Sequence, residues 1–91
     1  MNKEKITMFI LKSCPYCKEA LNLMDKLYEK NPEYRKLEIE IIDESEHPDI
    51  ADKFDYYYVP TYYIANKKVH EGIANLDKIQ QVFDAALWID K

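Results

Sequence analysis

The stretch from Ile6 to Leu11 is apolar except for Thr7, and three residues later the chain reads Cys14-Pro15-Tyr16-Cys17; these two features together constrain the fold more than any others. The β-branched and aromatic members of the run predict a strand buried on both faces. Pro15 suits the first helical position, where its missing N–H costs nothing. Ala20, Leu21, Met24, Leu27 and Tyr28 then recur at helical spacing. The strand should therefore deliver the chain to a helix that starts at the two cysteines and ends near Asn31-Pro32.

Further on, Leu37, Ile39 and Ile41 alternate with Glu38 and Glu40 ahead of Ile42, the period of a second strand with a more exposed face. Asp43 to Pro48 is an acidic connector, and Pro48, Ile50, Ala51 and Phe54 mark a short helix. Tyr56 to Val59 leads into Pro60, followed by a third strand over 61–65 that is rich in β-formers. Asn66-Lys67 reads as a two-residue hairpin turn before a short strand over 68–71. Gly72, the only glycine, closes it. Leu76, Ile79, Val82, Phe83, Ala86 and Leu87 define an amphipathic last helix capped at or just before Asn75. The order is β-α-β-α-β-β-α. One right-handed crossover makes the first two strands parallel and the hairpin adds two antiparallel ones, giving an α/β chain with a four-stranded mixed sheet flanked by helices. No repeat or linker interrupts residues 1–91, which read as a single domain.

Thirteen Lys plus Arg against seventeen Asp plus Glu leave a net charge of −4. With no basic stripe to track phosphates, nucleic acid is not an expected partner. No apolar run approaches the roughly 18 residues of a membrane span, and the run at Ile6 is too short for a signal segment. A cytoplasmic, monomeric protein is the default expectation.

Both cysteines fall in one C-x-x-C, so no separate pair is available as a structural staple. The thiolate is the nucleophile in disulfide exchange, and a free cysteine with a pKa of about 8.5 is mostly protonated at neutral pH. At a helix start, unpaired N–H groups and the positive end of the dipole stabilise the anion. Cys14 occupies that N-cap position, and Lys12 and Lys18 would add positive potential. Cys17, one turn on, is within reach of Cys14 but less exposed. Cys14 would attack a disulfide, and Cys17 would then attack the Cys14 sulfur and release the reduced substrate. Tyr16 offers a ring for substrate packing. A cis Val59-Pro60 bond would expose the Val59 backbone to an extended substrate.

Phe9-Ile10, Cys14-Pro15-Tyr16-Cys17 and Val59-Pro60 before a strand, a hairpin, a glycine and a final helix together resemble the glutaredoxins of the thioredoxin superfamily along nearly the whole chain. The resemblance implies a thioredoxin-like fold, Cys14 as nucleophile and Cys17 as resolving thiol in a redox-active disulfide. It also implies a cis Pro60 and glutathione as co-substrate; the expected substrate site comprises Lys12, Tyr16, Val59, Pro60 and Gly72, and no bound cofactor is expected. Three departures touch the glutathione part. Leu11 stands where the family lysine lies, with Lys12 one place later. The usual Thr-Val-Pro reads Tyr58-Val59-Pro60. The usual Gly-Gly reads Glu71-Gly72, with Asn75 in place of an aspartate. Glu71 would repel an anionic tripeptide, and weak glutathione binding is expected. The neighbouring thioredoxins share Val59-Pro60-Thr61, but their tryptophan before the dithiol is Ser13 here, and their buried aspartate aligns with Met8. Recycling by a thioredoxin-reductase-type partner is therefore the alternative.

A structural zinc site wants four ligands, and His47 and His70 do not converge on Cys14 in this fold, so no metal is expected. An iron–sulfur cluster shared through Cys14 is the remaining alternative. Trp88 and about half of the tyrosines dense around Pro60 read as packing residues.

Overall fold

A computed structural model describes residues 5–87. Four strands form one sheet in the order β2-β1-β3-β4: β1 is Ile6–Ile10, β2 Ile39–Asp43, β3 Thr61–Ile64 and β4 Lys67–Glu71. β1 runs parallel to β2 and antiparallel to β3, and β3 is antiparallel to β4. Every residue of β1 is buried, as its two-sided apolar run requires.

Helices α1 (Pro15–Lys30) and α3 (Leu76–Leu87) cover one face, and α2 (Pro48–Ala51) the other. The larger core joins Ile6, Met8, Tyr62 and Ile64 of the sheet to Ala20, Met24 and Leu27 of α1 and Ile79, Val82 and Phe83 of α3. The opposite face has only one turn of α2, and aromatic rings complete the layer. Phe9 stacks on Tyr56 with centroids 4.9 Å apart, and Phe54 meets Phe9 at 4.8 Å and Tyr63 at 4.9 Å. Each such pair adds roughly 0.5–1.5 kcal/mol beyond area burial.

The element order matches the sequence expectation, with three local differences. A 3₁₀ helix, Pro32–Lys36, follows α1; Asn31 caps it by accepting the Glu33 N–H at 3.2 Å, and its Tyr34 hydroxyl donates to Asp84 of α3 at 2.6 Å. The hairpin turns on Ala65-Asn66 rather than Asn66-Lys67, because Lys67 pairs with Ile64 as part of the ladder. Ala65 takes the left-handed conformation at φ 56°. On β2, Ile41 is 46% exposed although it lies on the same face as Ile39. β2 is an edge strand, and packing instead buries Ile42 beneath the Phe9 cluster and Asp43 at the end of the strand. Trp88 lies outside the described residues.

Candidate active site

Phe9 pairs with Thr61, so β1 leaves the sheet toward Cys14 at the same end of the sheet where Pro60 brings the chain in. Sheet register thus brings together two motifs more than forty residues apart in sequence. Cys14 and Val59 also pack against the same core cluster.

The loop between β1 and α1 is tied at both ends. The Cys14 N–H donates to the Leu11 carbonyl at 3.0 Å. Asp43 accepts the Lys12 N–H at 3.2 Å and the N–H and hydroxyl of Ser45 at 2.9 and 2.6 Å. Those bonds, the Ser45 hydroxyl foremost, hold the Asp43 carboxyl below its ordinary range. Lys12 itself sends its ammonium to Glu46 at 2.6 Å. Beside Leu11 a cavity of about 530 Å³ opens between Glu44, Ser45, Pro48, Tyr56 and Tyr57.

Cys14 is the N-cap of α1, with extended backbone (φ −85°, ψ 119°) and Pro15 at the first helical position. Its carbonyl accepts the N–H groups of Cys17 and Lys18 at 3.1 and 3.2 Å. Both cysteines are free thiols; Cys14 is half-buried and Cys17 buried. Burial works against the Cys14 anion, but the Cys17 and Tyr16 N–H groups and the Cys17 thiol outweigh it and leave the Cys14 pKa below its ordinary value. Cys17 moves the other way. Burial, the neighbouring Cys14 sulfur and the Glu44 charge push it up to about 11, against the pull of the Leu11 backbone. Beneath the dithiol, Tyr62 is fully buried with its hydroxyl 3.5 Å from the Met24 sulfur.

The Val59-Pro60 peptide is cis. Tyr16, Tyr57 and Tyr58 expose their rings, at 48%, 85% and 70%. Gly72 sits at φ +95°, where its N–H donates to the Pro60 carbonyl at 2.9 Å. Glu71, read from sequence as a source of repulsion, is engaged internally: it accepts the N–H groups of Tyr57 and Tyr58 and the Lys68 ammonium. Asn75 likewise turns inward to cap α3, accepting the Lys78 N–H at 2.8 Å. The bonds from Asp43 to the Lys12 N–H and from Glu71 to the Tyr57 and Tyr58 N–H groups escaped sequence reasoning because those partners lie 31 and 13 to 14 residues away with no periodic signal. Among the described residues, no three His, Cys, Asp or Glu side chains gather as a metal-ligand set, and no helix is long and apolar enough to cross a membrane.

A family model described as a thioredoxin domain matches residues 4–84. No curated protein sequence matches the chain. Among solved structures, the oxidised thioredoxin of Plasmodium falciparum is similar at TM-score 0.69 and 21% identity, with 91% of this chain and 80% of that one covered. Mitochondrial thioredoxin 3 of Saccharomyces cerevisiae, in its oxidised form, gives 0.70 and 22%, covering 92% and 79%. A thioredoxin-like protein of Clostridium perfringens gives 0.68 and 25%, covering 90% and 69%.

Proposed function

The chain belongs to the thioredoxin domain family, whose shared chemistry is dithiol–disulfide exchange, and from that premise we propose that Cys14 attacks and Cys17 resolves in the reduction of protein disulfides. The observation that carries this reading is the placement of the two thiols, Cys14 half-buried at the N-cap of α1 and Cys17 buried one turn further on, at the end of the sheet where Pro60 enters; the lowered Cys14 pKa and the raised Cys17 pKa agree with it. The Cys14 thiolate forms a bond to one substrate sulfur as the substrate S–S bond breaks, and the other sulfur leaves as a thiolate that takes up a proton. Conversion of Cys14 to a mixed disulfide removes its negative charge and its hold on the Cys17 proton, two of the influences that raise Cys17. Cys17 then loses its proton and attacks the Cys14 sulfur. The mixed disulfide breaks, the second substrate sulfur departs as a thiolate and takes up a proton, and Cys14–Cys17 is left as a disulfide, having given up the two electrons the substrate gains.

The Val59 backbone and the exposed Tyr16 ring are the substrate contacts in this reading, with Pro60 and Gly72 shaping the edge that a substrate strand would join. Glutathione serves as reductant of the oxidised form, in the glutaredoxin manner of Cys-Pro-Tyr-Cys, without a tight binding site. The two side chains that depart from the glutathione-site pattern, Glu71 for a glycine and Asn75 for an aspartate, are spent on internal hydrogen bonds. The same observation favours a second reading, recycling by a thioredoxin-reductase-type partner. The setting is a reducing compartment such as the cytoplasm.

NADPH oxidation in the presence of a protein disulfide tests this, with glutathione plus glutathione reductase in one arm and thioredoxin reductase in the other. Turnover in either arm that vanishes with Cys14→Ser supports the reading and identifies the reductant. Undiminished turnover by Cys14→Ser contradicts it.

A further inference from the structure

The segment entering Pro60 is held almost entirely by side chains of the β3–β4 hairpin. Glu71 Oε2 accepts the N–H groups of both Tyr57 and Tyr58, the second at 2.9 Å, while Oε1 accepts the Lys68 ammonium at 2.7 Å. The Thr61 hydroxyl donates to the Tyr58 carbonyl. Three residues before Tyr58, the Asp55 carbonyl accepts the Tyr63 hydroxyl at 2.7 Å and the Lys68 ammonium at 3.2 Å. With the Gly72 N–H on the Pro60 carbonyl, the carbonyls on both sides of Val59 are bound. Among the described residues, the Val59 N–H and carbonyl themselves have no hydrogen-bond partner.

This differs from an ordinary surface ion pair, which contributes little because both ends are solvated and free to move. The Glu71 side chain is only 19% exposed, and it gathers three donors on two oxygens, the charge-assisted arrangement that fixes geometry most strongly. Its donors include two consecutive backbone N–H groups, so it constrains the chain direction immediately before Val59. The carboxylate stays ionised over the whole physiological range, held down to about 2 by Lys68 and by the two N–H groups.

We infer that Glu71 is a positioning residue selective for peptide substrates: by fixing the Tyr57-Tyr58 backbone it presents the unpaired Val59 peptide group in one place for a substrate strand to pair with. The inference rests on the dithiol reading of Cys14 and Cys17 and adds a discrimination to it. A disulfide carried on a polypeptide uses the Val59 group and gains from its being fixed. A disulfide without peptide groups reacts at Cys14 alone and gains nothing.

The experiment is a single turnover of the reduced full-length chain with either a disulfide-linked peptide or hydroxyethyl disulfide, followed by acid quenching, thiol tagging and mass spectrometry. Glu71→Ala is expected to slow oxidation by the peptide disulfide about tenfold while leaving the hydroxyethyl disulfide rate within about twofold. Glu71→Gln keeps an oxygen acceptor and is expected to recover more than half of the lost selectivity; it also carries the test should Glu71→Ala fail to fold. Equal losses with both disulfides, or no loss with the peptide, would overturn the inference while leaving the dithiol reading intact. Failure of the wild-type chain to form a Cys14–Cys17 disulfide with either oxidant would overturn both.

Discussion

The Cys17 backbone N–H donates to the Cys14 carbonyl at 3.1 Å, which sets the two thiols one short turn apart, one half-buried at the helix entrance and the other buried beneath it. From this follows a separation in reactivity. The alkylation rate of Cys14 should rise with pH to a plateau whose midpoint lies below that of an ordinary free cysteine, because the thiolate is favoured there. Cys17, pushed up to about 11, should stay unmodified under the same conditions. Peptide mapping after brief iodoacetamide treatment between pH 6 and 10 reads both.

Glu71 links acid stability to the Pro60 loop. Its folded-state pKa is depressed to about 2 from 4.5, so its contribution is fully present above 4.5 and is lost as pH falls toward 2. In that window the unfolded chain takes up the proton first. Urea unfolding of Glu71→Gln should therefore show a shallower fall of midpoint across this interval than the parent, and the two proteins should run parallel above it.

Gly72→Ala tests the backbone rather than the space around it. An added Cβ would meet the Tyr58 Cβ at 3.9 Å, an ordinary contact, but the φ of +95° is unfavourable for any L side chain. The substitution should destabilise by about 1–2 kcal/mol in chemical denaturation.

The α1–α3 face should respond to two substitutions of different size. Phe83 is fully buried, with the Tyr28 ring 5.7 Å away in a stacked arrangement and the Tyr34 edge at 5.2 Å. Phe83→Ala should cost about 3–5 kcal/mol. Tyr34→Phe removes only the hydrogen bond to Asp84 and should cost about 1 kcal/mol. Equilibrium unfolding distinguishes them.

The elements that sequence reasoning located are those with a local signal. The two-sided apolar run of β1, Pro15 at the helix start and the spacing from Leu76 to Leu87 each depend on neighbours a few residues away. What it displaced or missed depends on distant partners. The hairpin turn shifted by one residue because turn preference points to Asn66, whereas strand pairing claims Lys67 and leaves Ala65 in a conformation alanine rarely takes. Ile41 obeys the alternation of a buried strand, yet no period reveals that β2 is an edge. The dithiol and the Val59-Pro60 step are legible as motifs; the cis bond at Pro60 follows from the family resemblance rather than from the residues themselves, and the structure has it. The carboxylates that hold their loops are not legible: the sequence shows Glu71 only as a charge beside Gly72, and its bonds to the Tyr57 and Tyr58 N–H groups depend on the fold.

The most direct measurement of the central claim is the mass of the adduct formed when Cys17→Ser is mixed with a disulfide-linked peptide, with the attachment site mapped by proteolysis under acid. A stable one-to-one mixed disulfide on Cys14, with none formed by Cys14→Ser, is the predicted result. Absence of the adduct from Cys17→Ser, or an adduct on Cys17 in the Cys14→Ser chain formed at a comparable rate, would contradict the assignment of attacking and resolving thiols.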